Sequence, residues 1–162
     1  MLLGKVIAEA AMRENKFVTW LPAYGAEVRG GTAYCMVTIS DKEIGSPYID
    51  KADTLIIMNN PSLQRFKNRL KNKGLFIINT SLAEAQDDIR GVKHRFSDIA
   101  LKLGNIKITN MMILGSYLAQ KKILNIKTVL KVMEEIAPAD KRDLIEINQK
   151  ALREGYKLDD KS

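Results

Sequence analysis

Apolar positions along the chain change from strand-like to helix-like spacing about halfway through the sequence. Short apolar runs of the kind that form strands occur at 17–21, 33–40, 54–58 and 75–79. In the second half, apolar residues recur at helical spacing from Met111 to Leu118 and from Ile126 to Ile136. Strands that are apolar on both faces and alternate with helices are typical of a mostly parallel sheet. The pattern predicts an α/β fold, with an open Rossmann-like sheet flanked by helices and a helical C-terminal part.

Local signals set the expected ends of several elements. Pro22 is expected to end a buried first strand, which follows a helix ending near Asn15. A basic helix is expected to begin near Pro61 and to end at Gly74.

The last helix is expected over 141–154, with Asp140 as its cap and Gly155 as its end. No repeat or linker divides the chain, which predicts a single domain over 1–162.

Composition limits the chemistry that this chain can perform alone. The 162 residues are 46% hydrophobic and 28% charged, which excludes a disordered chain. They include one cysteine and one histidine, too few for a disulfide framework, a four-ligand zinc site of cysteines and histidines, or a ferredoxin-type cluster. We therefore expect this chain to bind no metal or redox cofactor by itself.

The N-terminus and the lack of a long apolar run predict a cytoplasmic protein without a membrane span. No run of 18 apolar residues occurs, and the first residues are not ordered as in a signal peptide. In the cytosol Cys35 would stay reduced, and the glycosylation-like sequence Asn79-Thr80-Ser81 would be accidental.

The two residues that could support nucleophilic chemistry both have simpler interpretations. His94 lies between Lys93 and Arg95, which favours a surface or strand-edge histidine. Cys35 lies inside an apolar strand, where a free cysteine behaves as a small hydrophobe. Catalytic residues are therefore not expected in this chain.

The segment from Tyr24 to Gly31 is the strongest candidate binding feature. Gly25, Gly30 and Gly31 allow backbone conformations that other residues avoid, and a ligand or another chain can approach them closely. Arg29 can form a forked contact with a carboxylate or phosphate. The alternative is that Glu27 and Arg29 pair with each other or with helix ends while the glycines only turn the chain; the spacing favours neither interpretation.

The net charge of +7 is partly concentrated in one basic stretch. Its cations recur every second residue and would spread around a helix, so a solvated helix is favoured over a nucleic-acid surface. No interleaved aromatic residues support base stacking. The cations are Arg65, Lys67, Arg69, Lys71 and Lys73.

Several long sequence matches are similar to the gamma subunit of 2-oxoacid:ferredoxin oxidoreductases. The run from Thr19 to Thr32 carries the pattern Tyr-Gly-x-Glu-x-Arg-Gly-Gly, in the style of the 2-oxoglutarate and branched-chain 2-oxoacid enzymes. The resemblance covers nearly the whole chain and continues at 37–40, 44–47, 58–63, 79–82, 104–107, 110–115 and 148–155.

The resemblance implies one part of a heteromeric enzyme that decarboxylates a 2-oxoacid oxidatively, makes an acyl-CoA and reduces ferredoxin. It places thiamine diphosphate, magnesium and the iron–sulfur clusters on thiamine-binding and ferredoxin-like partner chains. In that setting Arg29 would be the electrostatic residue, Gly30 and Gly31 the close-approach backbone, and Tyr24 and Glu27 the positioning groups. Their contacts would be with partner subunits or with the phosphates of coenzyme A.

The sequence departs from the family pattern at its beginning. The family's usual first strand and G-x-G-G-Q-G loop do not precede the helix at Leu2-Leu3-Gly4. Because the first strand of an open parallel sheet is usually central, we expect Met1 to be an internal or misassigned start.

Two alternatives differ in kind from an enzyme subunit. One is a free-standing α/β module that binds a nucleotide or coenzyme A, which co-purification with larger partner chains would exclude. The other is a basic nucleic-acid binder, whose affinity would fall steeply with salt.

Overall fold

The computed structural model describes residues 1–23, 32–85 and 89–160, and it describes no side chains at 139–141. The chain forms two compact units. The first consists of 1–49 and 121–149, and the second of 50–120 and the residues from 150 onward. The prediction of a single domain over 1–162 stays a prediction.

The described elements confirm an α/β chain whose C-terminal part is helical. In chain order they are α1 (Leu2–Arg13), β1 (Phe17–Ala23), β2 (Tyr34–Ser40), β3 (Ala52–Ile57), α2 (Asn60–Phe66), β4 (Leu70–Asn79), β5 (Gly91–His94), α3 (Phe96–Lys102), α4 (Thr109–Lys121), α5 (Ile126–Glu135) and α6 (Ile145–Asp159). Short 3₁₀ turns precede β4, α4 and α6 at Lys67–Arg69, Ile106–Ile108 and Ala139–Leu144.

The strands form two sheets of opposite character. In the second unit β3, β4 and β5 form a parallel sheet in that order, as the apolar runs predicted. In the first unit β1 and β2 pair antiparallel in a two-stranded sheet. The central strand β4 places Phe76, Ile77 and Ile78 in the core of the second unit.

The first strand differs from the expectation in both its burial and its end. Phe17, Trp20 and Leu21 are each more than a third exposed, so the strand is not buried. Pro22 continues the strand opposite Cys35, and β1 ends at Ala23. A two-stranded sheet has only edge strands, and an edge strand accommodates a proline because one row of its N–H groups needs no ladder partner.

The predicted basic helix to Gly74 was wrong beyond its first two turns. Helix α2 ends at Phe66, and the chain is extended again from Leu70. The side chain of Asn59 accepts a hydrogen bond from the backbone N–H of Ser62, which caps the helix start.

The last helix was predicted with the wrong bounds. The segment Ala139–Leu144 is a 3₁₀ helix, and α6 begins only at Ile145. Gly155 lies inside α6 instead of ending it. A Cβ at Gly155 would lie 1.9 Å from the carbonyl oxygen of Met112, and one at Gly115 would lie 2.0 Å from that of Leu152. Both glycines are therefore required because the backbones of α4 and α6 are almost in contact.

A third helix glycine determines how α1 packs on the β1–β2 hairpin. A Cβ at Gly4 would lie 2.4 Å from Sγ of Cys35, 3.3 Å from Cγ2 of Val37 and 3.6 Å from Nε1 of Trp20. These three side chains share one face of the hairpin, as the pairing of Trp20 with Val37 requires. Cys35 is thus a packing residue, as its apolar neighbours predicted.

Substituting Gly155 tests the α4–α6 approach. Alanine is the better helix former by about 1 kcal/mol, so propensity alone would favour Gly155→Ala. The overlap with the Met112 carbonyl outweighs that gain, and we expect a net loss of about 1–3 kcal/mol in the free energy of unfolding, measured by urea denaturation. Gly45→Ala is the matched control, because a Cβ there meets nothing within 4 Å. Equal stability of the two variants would contradict the close approach.

A double-mutant cycle tests the contact between α1 and the hairpin. We expect Gly4→Ala to destabilise the protein because its Cβ overlaps Sγ of Cys35. In a Cys35→Ala background that atom is gone, so the same substitution should cost less, with a coupling of about 0.5–3 kcal/mol in thermal or urea unfolding. Strict additivity of the two substitutions would mean that the sulfur does not limit the approach of α1.

Candidate functional site

The β1–β2 hairpin anchors the segment that carries every candidate site residue. Its register pairs Phe17 with Ser40 at one end and Ala23 with Tyr34 at the other. The connection between the strands therefore leaves and rejoins the sheet at directly opposite positions. Tyr24, Gly25, Glu27, Arg29, Gly30 and Gly31 all belong to this connection and lie outside the described residues.

The end of the hairpin remote from this connection is held by an ion pair. Nζ of Lys16 lies 2.5 Å from Oδ1 of Asp41, at the turn into β1 and directly after β2. The hydrogen bond to Asp41 and the negative charge of Asp41 raise the pKa of Lys16 above its usual value. On the strand itself, the sulfur of Met36 accepts a hydrogen bond from the backbone N–H of Ile49 at 3.3 Å. Helix α1 and the loop after β2 contact these two strands, and the exposed Lys16–Asp41 pair adds little to their stability.

One polar pair inside the hairpin is not satisfied. Thr19 and Thr38 face each other across the strands, and their hydroxyl oxygens are buried without a hydrogen-bond partner. Because a buried hydroxyl without a partner is costly, the pair is a weak point of an otherwise well-anchored hairpin.

In the second unit a buried asparagine organises the carboxyl ends of the parallel strands. The amide of Asn79 donates to the carbonyl of Met58 at 3.2 Å and to the hydroxyl of Ser97 at 2.9 Å. Its oxygen accepts from the backbone N–H groups of Ser97 and Ser81. Asn79 is fully buried, so its amide serves the fold and is not available to a glycan or ligand.

His94, Asp159 and Ser116 meet in the order that excludes a nucleophilic triad. Nε2 of His94 lies 3.0 Å from one oxygen of Asp159, and the hydroxyl of Ser116 donates to the other oxygen at 2.5 Å. The carboxylate thus lies between the imidazole and the hydroxyl, whereas base catalysis needs the imidazole beside the hydroxyl. The cluster joins the last residue of β5 to α4 and α6, which fits the expected strand-edge role of His94.

A tyrosine on α4 is the second group with a displaced pKa. Burial, and then the negative charge of Asp53, raise the pKa of Tyr117 to about 12. The phenol is therefore neutral at physiological pH and has no role as a base.

A half-open cavity of about 180 Å³ lies along α2. Its lining mixes polar and apolar groups and includes a buried, unpartnered amide oxygen of Asn60. The lining residues are Asn60, Leu63, Gln64, Lys67, Glu84, Ala85 and Ile89.

The described side chains do not suit a metal or a cluster. Within 1–23, 32–85 and 89–160, no three His, Cys, Asp or Glu residues are grouped so that they could hold a metal ion. Cys35 packs against Gly4, and His94 is occupied by Asp159. In the same ranges no helix is both long and apolar enough to cross a membrane. The cytoplasmic location stays a prediction.

The candidate segment 24–31 stays a prediction, and no pattern in the sequence indicated the contacts of the hairpin that flanks it. The glycine at position 4 gave no signal, because one glycine near a helix start has many explanations. The hydrogen bonds of Asn79 were not predicted, because in the sequence Asn79 was noted only as part of a glycosylation-like motif. Neither the pairing of Asp159 with His94 nor the α4–α6 approach could be read from residues so far apart in the chain.

Two relatives align with this chain over most of its length. It is 34% identical over 119 residues to the ketoisovalerate oxidoreductase subunit VorA of Methanothermobacter marburgensis, a match covering 72% of this chain and 25% of that protein. It is 26% identical over 164 residues to the 2-oxoglutarate synthase subunit KorC of Methanocaldococcus jannaschii, covering 98% of this chain and 86% of that subunit. The chain thus spans about a quarter of the length of VorA.

A solved structure shows the same fold. The gamma subunit of a keto/oxoacid ferredoxin oxidoreductase from Geobacter sulfurreducens matches with a TM-score of 0.81 at 22% identity, covering 96% of this chain and 88% of that one. The family model described as pyruvate ferredoxin/flavodoxin oxidoreductase matches residues 1–158. This chain therefore belongs to the pyruvate ferredoxin/flavodoxin oxidoreductase family.

Proposed function

We propose that this chain is the gamma subunit of a heteromeric 2-oxoacid:ferredoxin oxidoreductase. The complex would decarboxylate a 2-oxoacid oxidatively, transfer the acyl group to coenzyme A and pass the electrons to ferredoxin. The observation that carries the proposal is the family match over 1–158, together with a subunit-sized relative, KorC, that aligns over 98% of the chain. The gamma-subunit fold of the Geobacter protein supports it.

Our first candidate substrate is 2-oxoglutarate, because a relative that aligns over 98% of the chain is a 2-oxoglutarate synthase subunit. A branched-chain 2-oxoacid is the second candidate, since the VorA relative is more identical over a shorter stretch. Comparing kcat/KM for 2-oxoglutarate and 2-oxoisovalerate in the purified complex distinguishes the two.

In the proposed complex, this chain would hold no redox cofactor. A cluster of the ferredoxin type needs four cysteine ligands, and this chain has one cysteine. Thiamine diphosphate, magnesium and the iron–sulfur clusters would therefore be held by partner chains. This chain would contribute binding and positioning, and the alternative of a free-standing nucleotide- or coenzyme A-binding module predicts no such partners.

The segment 24–31 is the part of the chain that we propose makes the functional contacts. The strands that flank it pair through Ala23 and Tyr34, and α1 packs on this hairpin through Gly4. In this proposal Arg29 binds a phosphate of coenzyme A or a carboxylate of a partner subunit. Gly30 and Gly31 let that group approach the backbone, while Tyr24 and Glu27 position it.

Replacing Arg29 tests this role in the assembled complex. A hydrogen bond to a charged group contributes about 1.5–3 kcal/mol. We therefore expect Arg29→Ala either to prevent assembly or to raise the KM for coenzyme A by roughly 10- to 100-fold. Assembly is measured by size-exclusion chromatography, and the KM by acyl-CoA formation.

The control variant is Arg153→Ala, which removes an exposed arginine from α6. Arg29→Lys should retain part of the function, because it keeps the charge but loses the planar fork. If Arg29→Ala assembles normally and keeps the wild-type KM for coenzyme A, the proposed role of the segment is wrong.

A further inference from the structure

Cationic side chains gather where strands β3 and β4 begin in the second unit. The pairing of Ala52 with Leu70 brings these strand starts together, and Lys51 and Arg69 directly precede them. We use the name basic edge for Lys51, Arg65, Lys67, Arg69, Lys71 and Lys73.

The basic edge forms because the chain changes from helix to strand after Phe66. A helix to Gly74 would have spread these charges around its circumference. Instead, between the pairs Ala52–Leu70 and Thr54–Leu75, strand β4 uses five residues where β3 uses two. The additional residues bulge from the sheet, and Lys71 and Lys73 are exposed there.

Within residues 51–74 the cations outnumber the acidic residues. Residues 51–74 contain six Lys or Arg and a single acid, Asp53, a surplus of five in a chain of net charge +7. Nζ of Lys71 lies 3.0 Å from both oxygens of Asp53. Lys51 donates to the carbonyl of Asn68 at 2.6 Å, which ties the two strand starts together and keeps its charge.

The two arginines of the basic edge are held by one aromatic ring. The guanidinium carbons of Arg65 and Arg69 lie 5.3 Å and 5.9 Å from the ring centroid of Phe66. Phe66 itself is only 8% exposed. Such cation–π contacts restrict the guanidinium groups, so less conformational entropy is lost when the Arg69 side chain binds a carboxylate.

The chemistry of the basic edge selects its partner. Permanent interfaces have an apolar centre, but Leu63 and Phe66, the large apolar residues of α2, are buried. Small, charged interfaces are typical of short-lived electron-transfer complexes, whose encounter is steered by charge. Base stacking would need an exposed aromatic ring, and Phe66 is the only aromatic residue of 51–74.

We infer that the basic edge docks the acidic face of a dissociable electron-carrier protein. The inference rests on the proposed function, in which the complex passes electrons to ferredoxin; the matching family is described as pyruvate ferredoxin/flavodoxin oxidoreductase. The basic edge lies at the amino ends of the parallel strands. Ligands of open α/β sheets bind at the carboxyl ends, so docking here leaves that end of the sheet free.

The test is a charge reversal in the purified complex. Lys67→Glu combined with Lys73→Glu changes two exposed cations that the catalytic chemistry does not use. With an acidic ferredoxin as acceptor, we expect the KM for ferredoxin to rise by ~10-fold at low salt, with kcat little changed. The difference should shrink as salt screens the charges. Activity with methyl viologen, which needs no docking, should equal that of the wild type.

The control is Lys127→Glu combined with Lys131→Glu, which makes the same change in charge on exposed positions of α5. Its KM for ferredoxin should stay near the wild-type value. Lys67→Gln with Lys73→Gln should give a smaller effect than the reversal in the same direction.

Each other outcome overturns the inference in a distinguishable way. An unchanged KM for ferredoxin, with methyl viologen activity intact, would leave the proposed function standing and remove the docking surface. Failure of the reversed variant to assemble would make the basic edge a subunit interface. Binding of a single-stranded RNA oligonucleotide that the reversal abolishes would make it a nucleic-acid surface. A wild-type complex without 2-oxoacid-dependent reduction of methyl viologen would remove the proposed function and the inference together.

Discussion

Both compact units depend on helix glycines that let a second element approach the helix backbone. In the first unit, Gly4 brings α1 against Cys35 and seats the hairpin. In the second, Gly115 and Gly155 bring α4 and α6 so close that any Cβ would overlap a carbonyl oxygen. Helix packing is normally determined by ridges and grooves of side chains. At these positions it is determined by glycines, whose lack of a side chain lets the backbones approach closely. The position of the hairpin and of the α6 end therefore follows from three residues without side chains.

The packing at Gly4 also positions the hairpin strands that flank the candidate segment 24–31. A loop whose two ends are paired in register loses less entropy on binding than one with free ends. The described residues that flank 24–31 include Ala23 and Tyr34, which pair with each other, and Lys16 pairs with Asp41 at the other end of the same hairpin. Under the proposed function, this chain would contribute to an oxidoreductase through the binding segment 24–31 and the basic edge.

The sequence was most informative where one physical effect dominated. Apolar runs predicted β3 and β4, and helical spacing together with Asn125 as a cap accounts for α5. Prediction failed where distant residues decide the structure. From the sequence, Gly155 was predicted to end the last helix. It is required inside that helix because the carbonyl of Met112, 43 positions away in the chain, leaves no room for a side chain. The change from helix to strand after Phe66 follows from pairing with β3, which no local signal shows. The candidate site residues stay a prediction from the sequence, and the structure describes the hairpin strands that flank them.

We propose that this chain acts only as part of a larger oxidoreductase. The most direct measurement is coenzyme A-dependent reduction of ferredoxin by a 2-oxoacid, using the chain alone, the thiamine-binding and ferredoxin-like partner chains alone, and all chains expressed together. We predict no activity from the chain alone, and a co-purifying complex with full activity only when it is present. Full activity of the partner chains without it, or its purification as a free protein from cells that contain them, would contradict the account.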